Sequence, residues 1–368
     1  MRRLILFSLL VPSSVLLLWW IAYRSYAPER WALPDSSFSE EEFSVRAADA
    51  IELPGTLTVP GSATVAPNAV IVLVPDEGLD RDWNSPGVAF RTGERLATVL
   101  AGHHGDVVLR YDQRGTGATR ASDRSVMDLE LRISDLALVL QHARARFPEQ
   151  DPVVLAQGSG CILALAARAM HRIRLGGLVL TGCNERGSHL DQWGESLFTR
   201  MEERGVPTET IVQARQEWRT YRENGQIATD EALTAPDIVA FRNTVRHLQS
   251  ADMRAFRETA DRLNFSDLLN QALAAGTPVL HLVGALDREA SPNDGETDKG
   301  DSYRYATVPE MGHFLKRRQT PGENLPQLVW ERLNPFTELS PDFLEMLYDW
   351  LDRQEPQARF LILRDVPA

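Results

Sequence analysis

The stretch that decides the fold is Val153-Val154-Leu155-Ala156-Gln157-Gly158-Ser159-Gly160-Cys161-Ile162-Leu163-Ala164-Leu165. Its first four residues are apolar and predict a fully buried strand. The run from Ile162 onwards is apolar on every side and predicts a buried helix. Gly158, Ser159 and Gly160 separate the two, so the stretch predicts a strand, a sharp turn and a helix.

Ser159 lies at this turn, where a strained backbone would push its hydroxyl clear of the sheet. The next amide, that of Gly160, would lie at a helix N-terminus, where negative charge is favoured. The stretch resembles the nucleophile elbow of α/β-hydrolases, Gly-x-Ser-x-Gly, with Gln157 and Cys161 in place of the outer glycines. The resemblance implies that Ser159 is a catalytic nucleophile and that the Gly160 N–H is an oxyanion-hole donor.

Buried strand patterns alternate with helical patterns along most of the chain. Further apolar runs occupy residues 69–74, 107–111, 177–181 and 278–284. This alternation predicts an α/β fold, with a mostly parallel central sheet flanked by helices and right-handed crossovers. Residues 51–60 alternate around Pro54-Gly55 and predict two antiparallel edge strands.

An acidic loop follows the strand predicted at residues 69–74. Pro75-Asp76-Glu77-Gly78 comes first, and Asp80-Arg81-Asp82 comes next. The segment is similar to a group of α/β-hydrolases that carry Asp-Arg-Asp after the oxyanion loop. The resemblance implies that the backbone N–H of Asp76 or Glu77 is the second oxyanion-hole donor. Acidic side chains here would oppose a forming oxyanion unless they point away from it.

Two further residues complete a possible catalytic triad. Asp287 follows the strand at residues 278–284, and His313 follows Gly312 in the loop after a strand at residues 302–308. The resemblance implies that Asp287 is the acid and His313 the base, and the chain order Ser159, Asp287, His313 is that of α/β-hydrolases. Glu185 is the alternative acid.

The run Asp112-Gln113-Arg114-Gly115-Thr116-Gly117 resembles the Tyr-Asp-x-Arg-Gly-x-Gly turn of the same superfamily. The resemblance implies structural roles for Asp112 and Arg114, paired with each other. A phosphate-binding loop is the alternative, although the lysine and the spacing of a P-loop are absent.

Cys161 and Cys183 are the only two cysteines of the chain. We expect two small buried thiols, with a disulfide as the alternative if their strands are neighbours in an oxidising compartment. No His-Glu-x-x-His motif or spaced Cys/His cluster occurs, so we expect no metal, and the predicted chemistry needs no cofactor.

The alternation stops between residues 185 and 265, where helix formers with charged faces and scattered aromatic residues prevail. This segment predicts a helical cap over the site, whose aromatics either line an acyl pocket or bury the cap against the core. The predicted core therefore has two parts, residues 43–184 and residues 266–354. Residues 355–368 form a tail that could add an edge strand or touch a membrane.

Residues 4–23 are almost wholly apolar and long enough, at about 1.5 Å per residue, to cross a bilayer. Arg2 and Arg3 precede them and predict a cytoplasmic amino terminus. We therefore expect a transmembrane anchor at residues 1–24, a linker at 25–42 and an extracytoplasmic catalytic domain, on the periplasmic side if the protein is bacterial. A cleaved signal peptide, with the protein secreted, is the alternative.

The formal net charge of −12 disfavours nucleic acid as a partner, since its recognition needs basic patches. Together these features predict a membrane-anchored serine hydrolase that cleaves a small-molecule acyl ester. Two alternatives remain: a serine peptidase acting on small peptides, and a binding protein on a hydrolase fold that has lost catalysis.

Overall fold

The described part of the chain is built around one eight-stranded sheet with strand order β1-β2-β4-β3-β5-β6-β7-β8. The structure, a computed structural model, describes residues 38–61, 66–85, 90–119, 128–183, 185, 187–227, 235–250, 253–287, 290, 302–317 and 339–354. The strands are β1 (Phe38–Arg46), β2 (Glu52–Pro60), β3 (Val70–Val74), β4 (Val107–Tyr111), β5 (Val153–Gln157), β6 (Gly177–Thr181), β7 (Val279–Gly284) and β8 (Tyr303–Val308).

Helices cover both faces of the sheet and form an insertion between β6 and β7. They are α1 (Thr92–Val99, continued by a π-helical turn, Leu100–His104), α2 (Leu129–Arg146), α3 (Gly160–His171), α4 (His189–Glu203), α5 (Thr208–Asn224), α6 (Pro236–Leu248), α7 (Arg254–Arg262), α8 (Phe265–Ala274) and α9 (Pro341–Gln354).

The sheet lies between two apolar layers, and β3 shows why. Val70, Val72 and Val74 pack with α2 and α3, whereas Ile71 and Leu73 pack with α1 and α9. Successive side chains of a strand point to opposite faces, so a strand buried on both faces is apolar along most of its length. The uninterrupted apolar runs therefore predicted the central strands correctly.

Strands β3 to β8 pair in parallel, as predicted, and β1 and β2 pair antiparallel at one edge. The prediction of two strands around Pro54-Gly55 is wrong, because β2 runs straight through both residues. Gly55 serves a close approach instead of a turn: a Cβ there would lie 2.3 Å from the ring of Phe43.

The strand that pairs with β2 on its outer side is β1, which begins at Phe38. Residues 38–42 therefore belong to a strand and not to the predicted linker. Glu40 and Glu42 accept hydrogen bonds from the hydroxyls of Thr58 and Thr56 across the strand pair, at 3.2 and 2.9 Å. These cross-strand hydrogen bonds hold the acidic residues of β1 against β2, a role that the composition of the segment alone did not indicate.

The insertion between β6 and β7 is helical in its described parts, α4 to α7, which pack on one another, while α8 packs on α3 of the core. Ser188 and Asp191 form a capping box at the start of α4. Helix α7 packs against α2, where Arg262 pairs with Glu130 at 2.6 Å. The insertion is thereby fixed to the face of the sheet that carries α2 and α3.

The predicted anchor, the first part of the predicted linker and the C-terminal tail lie in residues 1–37 and 355–368, outside the described residues. Within the described ranges, no helix combines the length and apolarity needed to cross a bilayer.

Cys161 and Cys183 form a disulfide, with their Cα atoms 6.1 Å apart. The expectation of two buried thiols is therefore wrong. Strands β5 and β6 are adjacent and parallel, so the residues that follow them emerge at the same edge of the sheet and can meet.

Asp112 and Arg114 are buried, but they are not paired with each other as predicted. The Arg114 guanidinium binds Asp135 of α2 and Asp49 of the β1–β2 turn, at 2.5 and 2.6 Å. Asp112 accepts the backbone N–H groups of Arg81 and Ala118, at 2.9 and 2.8 Å. Both residues shape loops by binding distant segments.

Candidate active site

The predicted site residues meet at the carboxyl ends of the parallel strands. Asp76 and Glu77 follow β3, Ser159 follows β5, Asp287 follows β7 and His313 follows β8. Parallel strands present these ends at one edge of the sheet, which is where such folds bind ligands.

His313 and Asp287 form a buried pair. His313 Nδ1 lies 3.0 Å from Asp287 Oδ2 and 3.2 Å from Oδ1. Gly182, after β6, makes room for them, because a Cβ there would lie 3.0 Å from both His313 Nδ1 and Asp287 Oδ2. The carboxylate is also held by the backbone N–H of Ala290, at 3.0 Å. The imidazole is thus oriented by a carboxylate, as a catalytic base must be.

Gln157, which replaces an outer glycine of the elbow motif, also serves the histidine. Its Nε2 donates to the backbone carbonyl of His313 at 2.9 Å, and its side chain is fully buried. The substitution therefore fastens the His313 loop to the end of β5.

The turn at Ser159 differs from the expectation. Ser159 has φ −65° and ψ −20°, which is ordinary right-handed helical backbone, so the prediction of strain at the serine is wrong. The left-handed residue is Gly158, with φ +56°, a conformation that glycine adopts without steric cost. Gly160 begins α3 and approaches β3 closely, since a Cβ there would lie 2.6 Å from the carbonyl oxygen of Val74.

Glu77 directs its backbone towards Ser159 and its side chain away. The Glu77 N–H donates to Ser159 Oγ at 2.9 Å. The Glu77 carboxylate lies 3.0 Å from Nη1 of Arg132, a buried arginine of α2. A predicted donor amide therefore faces the predicted nucleophile, with the acidic side chain neutralised elsewhere.

Arg132 and Gln113 hold the Pro75-Asp76-Glu77 loop in place through hydrogen bonds. Arg132 Nη2 donates to Gln113 Oε1 at 2.6 Å, and Gln113 Nε2 donates to the carbonyl of Pro75 at 3.0 Å. Sequence reasoning missed both residues. A signal did exist for Arg132, because it lies three residues after Leu129 and four before Leu136 and so interrupts the apolar face of an amphipathic helix.

Asp76 directs its carboxylate into the site. Its Oδ1 accepts the backbone N–H of Ser159 at 2.7 Å, and its Oδ2 lies 3.7 Å from His313 Nε2. Burial acts to raise the pKa of Asp76, but hydrogen bonds and charge from His313 and hydrogen bonds from Ser159 outweigh it, so the pKa falls well below its usual range. Among the described hydrogen bonds, none joins Ser159 Oγ to His313.

Glu185, the alternative acid, lies against a different histidine. Its Oε1 is 3.4 Å from Nδ1 of His281, a fully buried residue of β7. Burial lowers the pKa of His281 to about 3, so this imidazole stays neutral at physiological pH. Of the two candidate acids, Asp287 is the one in contact with His313.

The helical insertion contributes His189, the first residue of α4, which is buried and lies within electrostatic range of Asp76 and Glu77. Burial lowers the pKa of His189. Trp193 packs at 5.8 Å from Trp218 and 6.3 Å from Phe256, measured between ring centroids. Both of these contacts join aromatic rings within the insertion.

The Asp80-Arg81-Asp82 segment anchors the loop after β3 and does not approach Ser159. Arg81 binds Glu42 at 2.7 Å, and Asp82 binds the buried Arg110 of β4. These residues line a charged cavity of about 500 Å³ beside β1 and β2. Its arginines and carboxylates are bound to one another, which indicates a structural ion-pair network.

Within the described ranges, no group of three or more histidine, cysteine, aspartate or glutamate side chains is arranged to hold a metal ion.

The mostly parallel sheet, the glycine-flanked serine after β5 and the Asp287–His313 pair define an α/β-hydrolase-fold serine hydrolase. More specifically, the chain belongs to the family described as Serine aminopeptidase, S33, whose model matches residues 91–305. That match includes Ser159 and Asp287, and it ends before His313.

Several solved structures are similar to this chain at low sequence identity. An esterase from Pyrococcus furiosus has a TM-score of 0.50 and 14% identity, covering 89% of this chain and 97% of its own. A proline iminopeptidase from Mycobacterium smegmatis has a TM-score of 0.49 and 15% identity, and the match covers 86% of this chain and 99% of the iminopeptidase. A thermophilic esterase from Thermogutta terrifontis has a TM-score of 0.46 and 17% identity, and the match covers 86% of this chain and 100% of the esterase. No curated protein has a significant sequence match to this chain.

Proposed function

We propose that this chain is a serine esterase in which Ser159 is the nucleophile, His313 the base and Asp287 the orienting acid. The observation that carries the proposal is the convergence of three groups: the Asp287–His313 pair, the Ser159 hydroxyl and the Glu77 N–H that faces it at 2.9 Å. These are the nucleophile, the oriented base and the oxyanion donor that acyl transfer requires.

In the proposed reaction, Ser159 Oγ attacks the ester carbonyl carbon while its proton passes to His313 Nε2. The oxyanion accepts hydrogen bonds from the N–H groups of Glu77 and Gly160, the second of which lies at the N-terminus of α3. The intermediate then expels the alcohol, which takes the proton from His313. Water, deprotonated by the same imidazole, attacks the acyl-enzyme and releases the acid. Ser159 must turn towards His313 for the first step.

The choice of an ester is supported by the P. furiosus structure that shares the fold, which is named an esterase. Peptidase activity is the second candidate, because the family description names a serine aminopeptidase. Comparing p-nitrophenyl acyl esters with aminoacyl p-nitroanilides distinguishes the two. We expect the esters to be the better substrates, and faster cleavage of the anilides would favour the peptidase.

The direct test is labelling of the full-length chain with a fluorophosphonate probe, which forms a bond with an activated serine. We expect labelling of the wild type and of Ser196→Ala, a control whose hydroxyl binds the Trp193 carbonyl within α4. Labelling should be lost in Ser159→Ala. Equal labelling of Ser159→Ala and the wild type would remove Ser159 from the chemistry.

We further propose that the apolar run at residues 4–23 anchors the enzyme with its catalytic part outside the cytoplasm. The disulfide supports this placement, since such bonds persist mainly in oxidising compartments. Alkaline extraction of membranes and protease treatment of cells from which any outer membrane has been removed test it. Release of the protein by alkali would indicate the secreted alternative, and protection from protease would contradict an exposed catalytic part.

A further inference from the structure

The Asp76 carboxylate occupies space at the centre of the proposed active site. Its Oδ1 binds the Ser159 N–H, and its Oδ2 faces His313 Nε2. The group also covers Gly158, where a Cβ would lie 2.5 Å from Asp76 Cγ. A substrate carbonyl that approaches Ser159 therefore meets a side chain already bound there.

The position of this carboxylate is chemically informative. Hydrolysis of an ester leaves a carboxylic acid whose carboxylate would lie between the serine turn and the imidazole. Asp76 makes contacts of this kind, with a backbone N–H on one oxygen and the histidine ring near the other. Asp76 therefore places a carboxylate of the chain itself beside the serine turn and the imidazole, bound to the Ser159 N–H.

The surroundings allow the side chain to leave. Asp76 is 28% exposed, unlike Asp287, which is 1% exposed. The loop on either side is held independently, at Pro75 by Gln113 and at Glu77 by Arg132. Neither of these two contacts involves the Asp76 side chain, so the position of the Glu77 amide does not depend on the Asp76 carboxylate.

We propose that Asp76 is an internal ligand of the active site that substrate must displace, and that its charge selects against acyl groups carrying a carboxylate. The inference rests on the proposed esterase function. Displacement frees His313 to accept the proton of Ser159, and the displaced carboxylate stays close enough to repel an anionic acyl chain.

The test compares full-length wild type, Asp76→Asn and Asp76→Ala. Two quantities are measured: the second-order rate constant of fluorophosphonate labelling at Ser159, and kcat/KM for p-nitrophenyl acetate and p-nitrophenyl hemisuccinate. Glu310→Gln is the matched control, since it removes one negative charge from a surface carboxylate that binds Arg317. Thermal melting verifies that each variant folds.

Asp76→Ala should label about tenfold faster or more, because no side chain then has to be displaced before the probe reaches Ser159. Asp76→Asn should show a smaller rise, because its amide oxygen can still accept the Ser159 N–H. The hemisuccinate-to-acetate ratio of kcat/KM should rise by about tenfold through loss of like-charge repulsion. Glu310→Gln should behave as the wild type.

Folded Asp76 variants that label Ser159 no faster than the wild type, or that keep its preference for acetate, would overturn the proposal and leave the serine mechanism standing. Labelling of Ser159→Ala equal to the wild type would instead defeat the esterase function itself.

Discussion

Arg132 Nη1 lies 3.0 Å from Glu77 Oε1, and this ion pair joins α2 to the loop whose amide faces Ser159. The contact explains how an acidic residue can stand in the proposed oxyanion loop. Its charge is directed away from the reacting atoms and neutralised by a buried arginine. Asp76, in contrast, directs its carboxylate to the backbone N–H of Ser159.

Arg132→Met should lower kcat for p-nitrophenyl acetate by about tenfold to a hundredfold with little change in KM, because a misplaced donor weakens transition-state binding selectively. Arg132→Lys should recover part of the loss, since lysine keeps the charge but not the bond to Gln113. Arg146→Met is the control, because Arg146 is an exposed residue at the end of the same helix. A rise in KM alone would contradict a positioning role.

Asp287→Asn should lower kcat by about 10³- to 10⁴-fold, because an amide cannot hold His313 in the required tautomer or stabilise its protonated form. Steady-state kinetics with a chromogenic ester measure the effect. Glu185→Gln provides the comparison, as Glu185 lies beside His281. If Glu185→Gln were the more damaging of the two, Asp287 would not be the catalytic acid.

Removing the disulfide should destabilise the protein by about 3 kcal/mol, since Cys161 and Cys183 close a loop of 22 residues. Urea unfolding of the Cys161→Ala/Cys183→Ala double variant measures this change. The wild type, unfolded without reductant, should show no reactive thiol, because the chain has only these two cysteines. Two thiols per chain would show that the bond does not form.

The stability of the protein should depend on pH through His104, which bridges Asp106 at 2.8 Å and Asp352 of α9 at 3.1 Å. Burial acts to lower the pKa of His104, but hydrogen bonds and charge from the two carboxylates raise it overall. The folded pKa therefore exceeds the unfolded value of about 6.5. The stabilisation is complete below that value and is lost as the pH rises through the folded pKa.

Urea midpoints measured between about pH 6 and about pH 9 test this dependence. The midpoint difference between wild type and His104→Gln should be largest at the acid end and shrink towards the alkaline end. His171→Gln, which changes an exposed histidine at the end of α3, should show no such trend. A difference that stays constant with pH would mean that the charge of His104 does not stabilise α9.

Local patterns in the sequence determined the central part of the fold. Apolar runs indicated β3 to β7, because a strand buried on both faces carries apolar side chains along most of its length. The edge was predicted less well: β2 crosses Pro54-Gly55 without turning, since the Phe43 ring of β1 needs the glycine. That requirement comes from a neighbouring strand and leaves no trace within residues 52–60.

By itself, the sequence indicated the candidates Ser159, Asp287 and His313 through its resemblance to α/β-hydrolases. Each lies in the loop after a recognisable strand, and parallel strands end at one edge of a sheet. Only the tertiary structure decided that Asp76 points inward while Glu77 turns to Arg132, that Arg114 binds Asp49 and Asp135, and that the cysteines pair. The physical reason is that side-chain direction depends on partners far away in the chain, which no local spacing specifies.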